Sequence, residues 1–226
     1  KRVVLAQSWI YILTGLQNGQ TWQHLGIKDV ISVSDAITDF LQTFMPGMNI
    51  KKIRQGIDRK YFNPPKKMSD KFPMIGFVNA RDSVGQMKLY NIIKGFYLAY
   101  PHLKWVRFIE LSGLSREDFA DRLKSCAFVM YTDEIAGFGT LPLEAMACGI
   151  PVITSNTTAC KEITKDAAIL VDPNSTEEIK NAMQLLMNDI ALHDSFSKKS
   201  LETASSYSWE KAGFLHAEIF KRYTKQ

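Results

Sequence analysis

Three kinds of signal are missing from this sequence of 226 residues: a membrane-spanning run, a disulfide framework and a metal-ligand cluster. No apolar run reaches the ~18 residues that a membrane-spanning helix needs, so the sequence predicts none. The three cysteines, Cys126, Cys148 and Cys160, are odd in number and lack metal-ligand spacing, which favours free thiols in a reducing compartment. There is no Asp-x-Asp triplet and no His or Cys cluster, so we expect no bound metal and no cofactor.

The charge balance is basic, with 28 Lys and Arg against 23 Asp and Glu and a net charge of +5. Part of the excess lies in residues 51–71, whose positive residues are Lys51, Lys52, Arg54, Arg59, Lys60, Lys66, Lys67 and Lys71. This basic run could contact an anionic membrane surface or a polyanion, and a solvated linker is the simpler alternative. Aromatic and basic residues are not interleaved as in nucleic-acid-binding proteins, so we expect no nucleic-acid partner.

Apolar runs of strand length alternate with amphipathic helical segments along the chain. Before residue 55 the pattern predicts strands at 3–6, 30–34 and 50–54 and a helix at 35–45. Residues 55–71 are rich in Gly, Pro and Lys, which is typical of a linker. After it the pattern predicts strands at 74–78, 105–111, 127–131, 150–154 and 167–171, and helices at 88–99, 116–125, 141–148, 175–188, 190–205 and 208–223. The alternation predicts an α/β fold, a Rossmann-like doubly wound parallel sheet with a partial second Rossmann-like unit before it.

The stretch IAGFGTLPLEAMACGIPVITSN, residues 135–156, is the most informative part of the sequence. A glycine loop follows a predicted strand and precedes a helix that has Pro142 in its first turn and Gly149 just past its end. The free amides at the start of such a helix suit a phosphate, and Glu144 one turn further on could accept hydrogen bonds from a ribose diol. Many glycine loops of this kind bind nothing, and Glu144 could instead be an acid that the helix dipole favours.

Several segments together resemble the retaining glycosyltransferases of the GT-B fold, in their donor-binding half. GFGTLPLEAMACGIPVITSN followed by KEITKDAAILVDPNSTEEIKNAM matches the donor-binding motif of this family. VISVSDAITDFL is similar to the last strand and helix of its N-terminal domain, IRQGIDRKYFNPP to its inter-domain hinge, and SYSWEKAGFLHAEIF to its final helix. The resemblance implies the end of an acceptor-side domain at 1–54 whose larger part is missing, a hinge at 55–71, a donor-binding domain at 72–205, and a helix at 206–226 that crosses back.

The resemblance also implies roles for individual residues. Glu144 corresponds to the second acid of the family's Glu-x7-Glu motif and would bind the ribose of a sugar nucleotide. The backbone of Gly137, Phe138 and Gly139 would face the donor sugar, and the amides of Thr140 and Leu141 would face its diphosphate. Arg81 and Lys88 resemble the family's Arg and Lys pair that neutralises the diphosphate, although a solvated loop is the alternative for both. The resemblance assigns no catalytic side chain.

Two positions depart from the family pattern. The first acid of the motif would stand at position 136, where this sequence has Ala136, with Glu134 two residues earlier. Either Glu134 takes over the contact to the donor sugar, or that contact is lost. A histidine is common near the end of the first predicted strand in this family, and Gln7 and Ser8 stand there instead.

The resemblance implies an enzyme that transfers a hexose or deoxyhexose from a nucleoside-diphosphate sugar to a saccharide or lipid-linked acceptor. It would act with retention of the anomeric configuration, in cell-surface polysaccharide or glycoconjugate synthesis. We expect a cytoplasmic location, with peripheral contact to the inner face of a membrane as an option. The alternative is a nucleotide-sugar-binding or scaffolding module that has lost its chemistry, as Ala136 and Gln7 would allow. A sugar-nucleotide epimerase of the same fold fits the motifs less well.

Overall fold

The computed structural model describes residues 2–65, 74–80 and 82–224, whose strands form two parallel sheets. The first sheet contains β1 (Val3–Ala6), β2 (Asp29–Ser32) and β3 (Asn49–Lys52), in that order. The second sheet has the strand order β5-β4-β6-β7-β8. Its strands are β4 (Met74–Phe77), β5 (Arg107–Glu110), β6 (Phe128–Tyr131), β7 (Val152–Ser155) and β8 (Ile169–Val171). The predicted fold class, a Rossmann-like parallel sheet with a partial second unit, is therefore confirmed.

The helices of the described residues lie between these strands and after the last of them. Their bounds are α1 (Trp9–Ile12), α2 (Asp35–Phe44), α3 (Ser83–Ala99), α4 (Arg116–Lys124), α5 (Thr140–Ala147), α6 (Thr158–Thr164), α7 (Thr176–Asn188), α8 (Ile190–Ala204) and α9 (Trp209–Thr224). Among the described residues, no helix combines the length and the apolar character that crossing a bilayer requires.

The second sheet is buried on both faces. Side chains alternate across a strand, and β6 shows the result: Phe128 and Met130 pack in one apolar cluster with α3 and α7, while Val129 packs in another with α4 and α5. Phe128 and Val129 have no exposed surface. A strand that is covered on both faces needs an unbroken apolar run, and this run allowed the strand at 127–131 to be predicted from the sequence.

The strand order of the second sheet reverses between β4 and β6. From β4 the chain crosses to β5 on one side and then to β6 on the other side, so the connections after β4 and β6 diverge. In open parallel sheets ligands bind at such a reversal, outside the carboxyl ends of the strands. The loop after β6, residues 132–139, therefore borders the crevice where this fold holds its ligands.

The observed elements differ from the predicted ones mainly at their ends. The predicted helix 88–99 begins five residues earlier, at Ser83, because the side chain of Asp82 accepts a hydrogen bond of 2.9 Å from the amide of Gly85 and caps it. The short helices α1 and α6 were not predicted, since four and seven residues are too few to show a period. The side chains of Ser34, Ser115 and Ser175 cap α2, α4 and α7.

Side-chain contacts join the two parts of the fold. The part that contains the first sheet is called the first unit below, and the part that contains the second sheet is called the second unit. Glu162 of α6 accepts hydrogen bonds from Arg54 Nε at 2.9 Å and from the amide of Asp35 at 2.6 Å, and its side chain is only 13% exposed. Lys52 Nζ of the first unit also lies 3.9 Å from Glu162 Oε1. From α9, Ala212 packs beside Ile31 and Ile53 of the first unit. The domain boundaries given above stay predictions, but α9 does lie against the first unit.

We expect the Glu162→Gln substitution to lower the free energy of unfolding by about 1.5–3 kcal/mol, because hydrogen bonds to a charged group are lost. Urea unfolding of the variant and of Glu202→Gln measures the effect, since Glu202 is an exposed acid of α8. Equal stability of the two variants would mean that the Glu162 contacts do not hold the units together.

The predicted basic run is only partly described. Lys66, Lys67 and Lys71 lie outside the described residues. Of the others, Lys52 and Arg54 are engaged by Asp35 and Glu162, and Arg59 Nη2 donates to the carbonyl of Ala204 at 2.7 Å. These three are therefore already held by groups of the protein itself.

Candidate functional site

The start of α5 faces the carboxyl edge of the second sheet, and Gly139 makes this placement possible. Gly139 has a left-handed backbone with φ 89°. A Cβ there would lie 2.8 Å from Ile163 Cδ1 and 3.2 Å from Cys160 Sγ, so a side chain is excluded by both φ and space. The amides of Thr140 and Leu141 belong to the first turn, where no acceptor exists within the helix. This helix end offers donors and a partial positive charge to an anion.

Glu144 lies one turn into α5, where it is far more buried than a surface carboxylate. It is 5% exposed, and burial raises its pKa to about 7 from 4.5, although Arg116 acts in the opposite direction. Arg116 Nη2 is 3.1 Å from Glu144 Oε1, but no N–H of Arg116 points at this oxygen well enough for a hydrogen bond. Oε1 is closed to solvent and lacks a hydrogen bond within the protein. This carboxylate, paired with one guanidinium group, keeps lone pairs that the donor groups of a ligand can use.

Gly137, in the loop before α5, is packed against the first unit. A Cβ at this position would lie 2.1 Å from the carbonyl oxygen of Gln7 and 3.0 Å from Ser8 Cα. The carbonyl oxygen of Gly137 accepts a hydrogen bond of 2.8 Å from Ser34 Oγ. The end of β1 and the start of α2 thus hold the loop, and sequence reasoning missed this role of Ser34.

Phe138, the next residue, contributes its side chain to the core. It is 5% exposed, and its ring meets the ring of Tyr207 edge to face at a centroid distance of 6.2 Å. Any contact of Phe138 with a donor sugar would therefore be through its backbone, as the resemblance implies. Gly137 already uses its carbonyl group for Ser34, which leaves its amide for a ligand.

Lys88 and Glu134 come together across the point where the strand order reverses. Lys88 Nζ of α3 lies 2.5 Å from Glu134 Oε1 and 2.9 Å from Asn174 Oδ1, a residue that sequence reasoning missed. The side chains of Lys88 and Glu134 are 28% and 49% exposed. Lys88, which was predicted to bind the diphosphate, is thus paired with Glu134, which was considered for binding the donor sugar. Arg81 lies outside the described residues.

Ala136 is buried rather than open to the crevice, with 7% of its surface exposed. The preceding loop is braced by Asp133, which accepts hydrogen bonds from the amide of Ile135 at 2.7 Å and from the hydroxyl of Tyr131 at 2.9 Å. The position at which the family pattern has its first acid therefore offers an acid side chain little room. Glu134, which is half exposed, is the acid of this loop that solvent and ligands can reach.

No group of three or more potential ligands is placed to hold a metal ion among the residues that the structure describes. The cysteines Cys126, Cys148 and Cys160 are buried as thiols. Burial raises the pKa of Cys126 and of Cys148 to about 12, so both thiols are protonated at neutral pH. The expectation that no metal or cofactor takes part stays a prediction.

Several known proteins are similar to parts of this chain. Residues 96–203 match the family model of the glycosyl transferases group 1. The chain is 27% identical over 173 residues to O-antigen chain mannosyltransferase B of Escherichia coli, an alignment that covers 76% of this chain and 42% of that protein. It is 29% identical over 131 residues to an uncharacterized glycosyltransferase of Methanocaldococcus jannaschii, covering 57% of this chain and 36% of that protein. The chain thus spans less than half of the length of either relative.

Solved structures show the same fold. Sucrose-phosphate synthase from Thermosynechococcus elongatus superposes with a TM-score of 0.71 at 17% identity, over 99% of this chain and 68% of that one. Anabaena HepE, in complex with UDP and glucose, superposes with a TM-score of 0.72 at 17% identity, over 97% of this chain and 71% of that one. Residues 96–203 are therefore similar to the glycosyl transferases group 1, and the chain has the Rossmann-like parallel fold of these solved GT-B glycosyltransferases.

Proposed function

We propose that the protein transfers a hexose or deoxyhexose from a nucleoside-diphosphate sugar to a saccharide or lipid-linked acceptor, with retention of the anomeric configuration. The product would be a cell-surface polysaccharide or glycoconjugate. The observation that carries this proposal is Glu144, a carboxylate 5% exposed whose Oε1 lacks a hydrogen bond, one turn into a helix that starts at the edge of the sheet. A ribose diol supplies the donors that this carboxylate lacks.

The charge of the diphosphate has matching partners nearby. The first-turn amides of α5 carry partial positive charge, and Lys88 lies on the facing helix α3. Lys88 is bound to Glu134 and Asn174, so a diphosphate would have to share it or replace those partners. Arg81 is the second cation that the resemblance assigns to this role. Positive groups fixed in place stabilise the leaving nucleoside diphosphate as its charge develops.

Several relatives support this chemistry in general terms. The curated matches include O-antigen and serotype-specific mannosyltransferases of Escherichia coli, and Anabaena HepE has been solved with UDP-glucose. The donor sugar, the acceptor and the stereochemistry at the transferred carbon are proposals for this chain.

Incubation of the protein with UDP-glucose, GDP-mannose and dTDP-rhamnose tests the function. We expect one of these donors to release its nucleoside diphosphate, faster with an oligosaccharide acceptor. The one-bond coupling between the anomeric carbon and its proton in the product should show the same configuration as in the donor. An inverted product would contradict retention, and a protein that neither binds nor turns over any nucleotide sugar would contradict the whole proposal.

A second candidate function is a nucleotide-sugar-binding module without transfer. The observation that favours it is Ala136, which is buried and supplies no acid where the family pattern has one. Such a module would bind a nucleoside diphosphate in calorimetry and release none from any donor. Turnover of even one donor excludes it.

The proposed reaction needs no metal, because helix amides and cations take the place of a divalent ion at the diphosphate. We therefore expect transfer to continue at an unchanged rate in excess EDTA. The measurement is the initial rate of nucleoside diphosphate release with EDTA and after addition of Mn²⁺. A rate that vanishes with EDTA and returns with Mn²⁺ would contradict this expectation.

We also propose that the protein acts in the cytoplasm, next to an N-terminal acceptor-side domain, with peripheral contact to anionic lipid through the basic run at 51–71. The support is the local excess of positive residues there. Sedimentation with vesicles that contain phosphatidylglycerol should exceed that with neutral vesicles. Equal sedimentation with both kinds of vesicle would contradict the proposed contact with anionic lipid.

A further inference from the structure

The proposed function makes no use of Arg116, although this residue contacts Glu144, which is predicted to bind the ribose. Arg116 is the first residue of α4. Its guanidinium group lies over the ring of Phe62, with Cζ 4.8 Å from the ring centroid, and its Nη2 lies 3.1 Å from Glu144 Oε1. Phe62 has no exposed surface, and its ring meets that of Phe119 edge to face at 5.9 Å. A fixed aromatic ring thus supports the guanidinium beside the carboxylate.

Three titratable groups lie near Glu144, and two of them are charged. Arg116 of α4 favours the ionised form, and Asp58, in the segment after β3, opposes it. On α5 itself, Cys148 is a thiol that stays protonated at neutral pH because burial raises its pKa to about 12. Burial is the largest influence on Glu144 and favours the neutral acid. Among the described residues, Arg116 is therefore the counter-charge that keeps this buried carboxyl group close to ionisation.

We propose that Arg116 is a positioning residue of the nucleotide site, which orients the Glu144 carboxylate and keeps it ionised so that it accepts both hydroxyls of a ribose. This inference rests on the proposed function, because it concerns the same site.

The chemistry of a ribose diol explains why the ionised form matters. Two neighbouring hydroxyls present two donors, and an ionised carboxylate accepts both, whereas a protonated acid keeps a proton on one oxygen. Hydrogen bonds to an ionised acceptor are also the stronger ones. The guanidinium approaches Oε1 without forming a hydrogen bond to it, so lone pairs of the carboxylate remain for the ligand.

The opposite role for Arg116 makes the opposite prediction. If Arg116 filled the ribose position and had to be expelled, removing it would tighten binding of the nucleotide sugar. The direction of the change in affinity therefore decides whether Arg116 positions Glu144 or blocks the ribose position.

A titration of the ligand-free chain provides the first test. The ¹³C signal of the Glu144 side-chain carboxyl group is followed from pH 5 to pH 9 in the parent, in Arg116→Met and in Arg116→Lys. Removing an opposite charge this close should move the midpoint upward by about one unit or more, and Lys should restore part of the shift. The matched control is Arg122→Met, which removes the same charge at an exposed position of the same helix. An unchanged midpoint in Arg116→Met would overturn the proposal.

Calorimetry with UDP-glucose and GDP-mannose over the same pH range provides the second test. The diphosphate of these donors has no proton that titrates near neutral pH, so a pH dependence of binding reports on the protein. We expect Arg116→Met to bind at least about tenfold more weakly than the parent at pH 7 and to recover part of the loss at higher pH. Arg122→Met should bind like the parent.

The outcomes separate this inference from the function on which it rests. A parent that binds neither these donors nor any other nucleotide sugar contradicts the proposed function, and the inference falls with it. A parent that binds while Arg116→Met binds equally well or more tightly contradicts the inference alone.

Discussion

Replacing Gly137 by alanine is expected to reduce the proposed sugar transfer on the order of 100-fold, because a displacement of about 1 Å at a reacting site has effects of this size. The added Cβ would lie 2.1 Å from the carbonyl oxygen of Gln7 and 3.0 Å from Ser8 Cα. Neither neighbour is a flexible side chain, so either the loop or the end of β1 must move. Any movement of the loop also displaces the amides at the start of α5.

The matched control is Gly213→Ala. A Cβ at Gly213, within α9, has no neighbour within 4 Å, and alanine is the better helix former. Initial transfer rates of the two variants, with their melting temperatures, separate a displaced loop from general unfolding. A Gly137→Ala variant with the parent's rate would mean that the contact with Gln7 is not required during the reaction.

The Glu144→Gln substitution is expected to weaken binding of a nucleoside diphosphate by about 1.5–3 kcal/mol, because hydrogen bonds to a charged acceptor are lost. The same substitution should stabilise the fold at pH 8. Burial raises the pKa of Glu144 to about 7 from 4.5, so the folded chain holds this proton more tightly than the unfolded chain. Ionising the buried group therefore lowers stability as the pH rises from 4.5 to 7, by up to about 3 kcal/mol.

Glutamine cannot ionise, so the stability advantage of Glu144→Gln should be absent at pH 4.5 and complete above pH 7. Urea unfolding at pH 4.5, 6 and 8 measures it, and Glu218→Gln, at an exposed position of α9, is the control. Calorimetry with UDP and GDP measures the binding loss. A variant that is no more stable than the parent at pH 8 would show that burial of the ionised Glu144 does not destabilise the fold. Unchanged affinity would remove Glu144 from the nucleotide site.

The order of elements was predictable from the sequence because each signal is local. Strand 127–131 and helix 141–148 were recognised from an apolar run, a proline in the first turn and a closing glycine, and the structure places them at Phe128–Tyr131 and Thr140–Ala147. Helix caps are equally local, since Ser115 and the amide it accepts from are three residues apart. Such signals lie within one turn of the chain and do not depend on packing.

The contacts that shape the site depend on packing and were not predictable. Arg116 meets Glu144 only because the fold brings the start of α4 to this carboxylate and places Phe62 beneath the guanidinium. Lys88 and Glu134 were both named from the sequence, yet their pairing follows from the reversal of strand order between β4 and β6. The resemblance implied a ligand-facing role for Glu144 but not its burial, which sets its pKa.

Ser34 has a consequence for the whole molecule, because its one hydroxyl group serves both units. Its oxygen accepts the hydrogen bond from the amide of Ile37 that caps α2, and its proton goes to the carbonyl of Gly137. The conformation of the loop before α5 is therefore coupled to the docking of the first unit on the second. A ligand that stabilises this loop shape would stabilise the docked arrangement of the two units by the same coupling free energy.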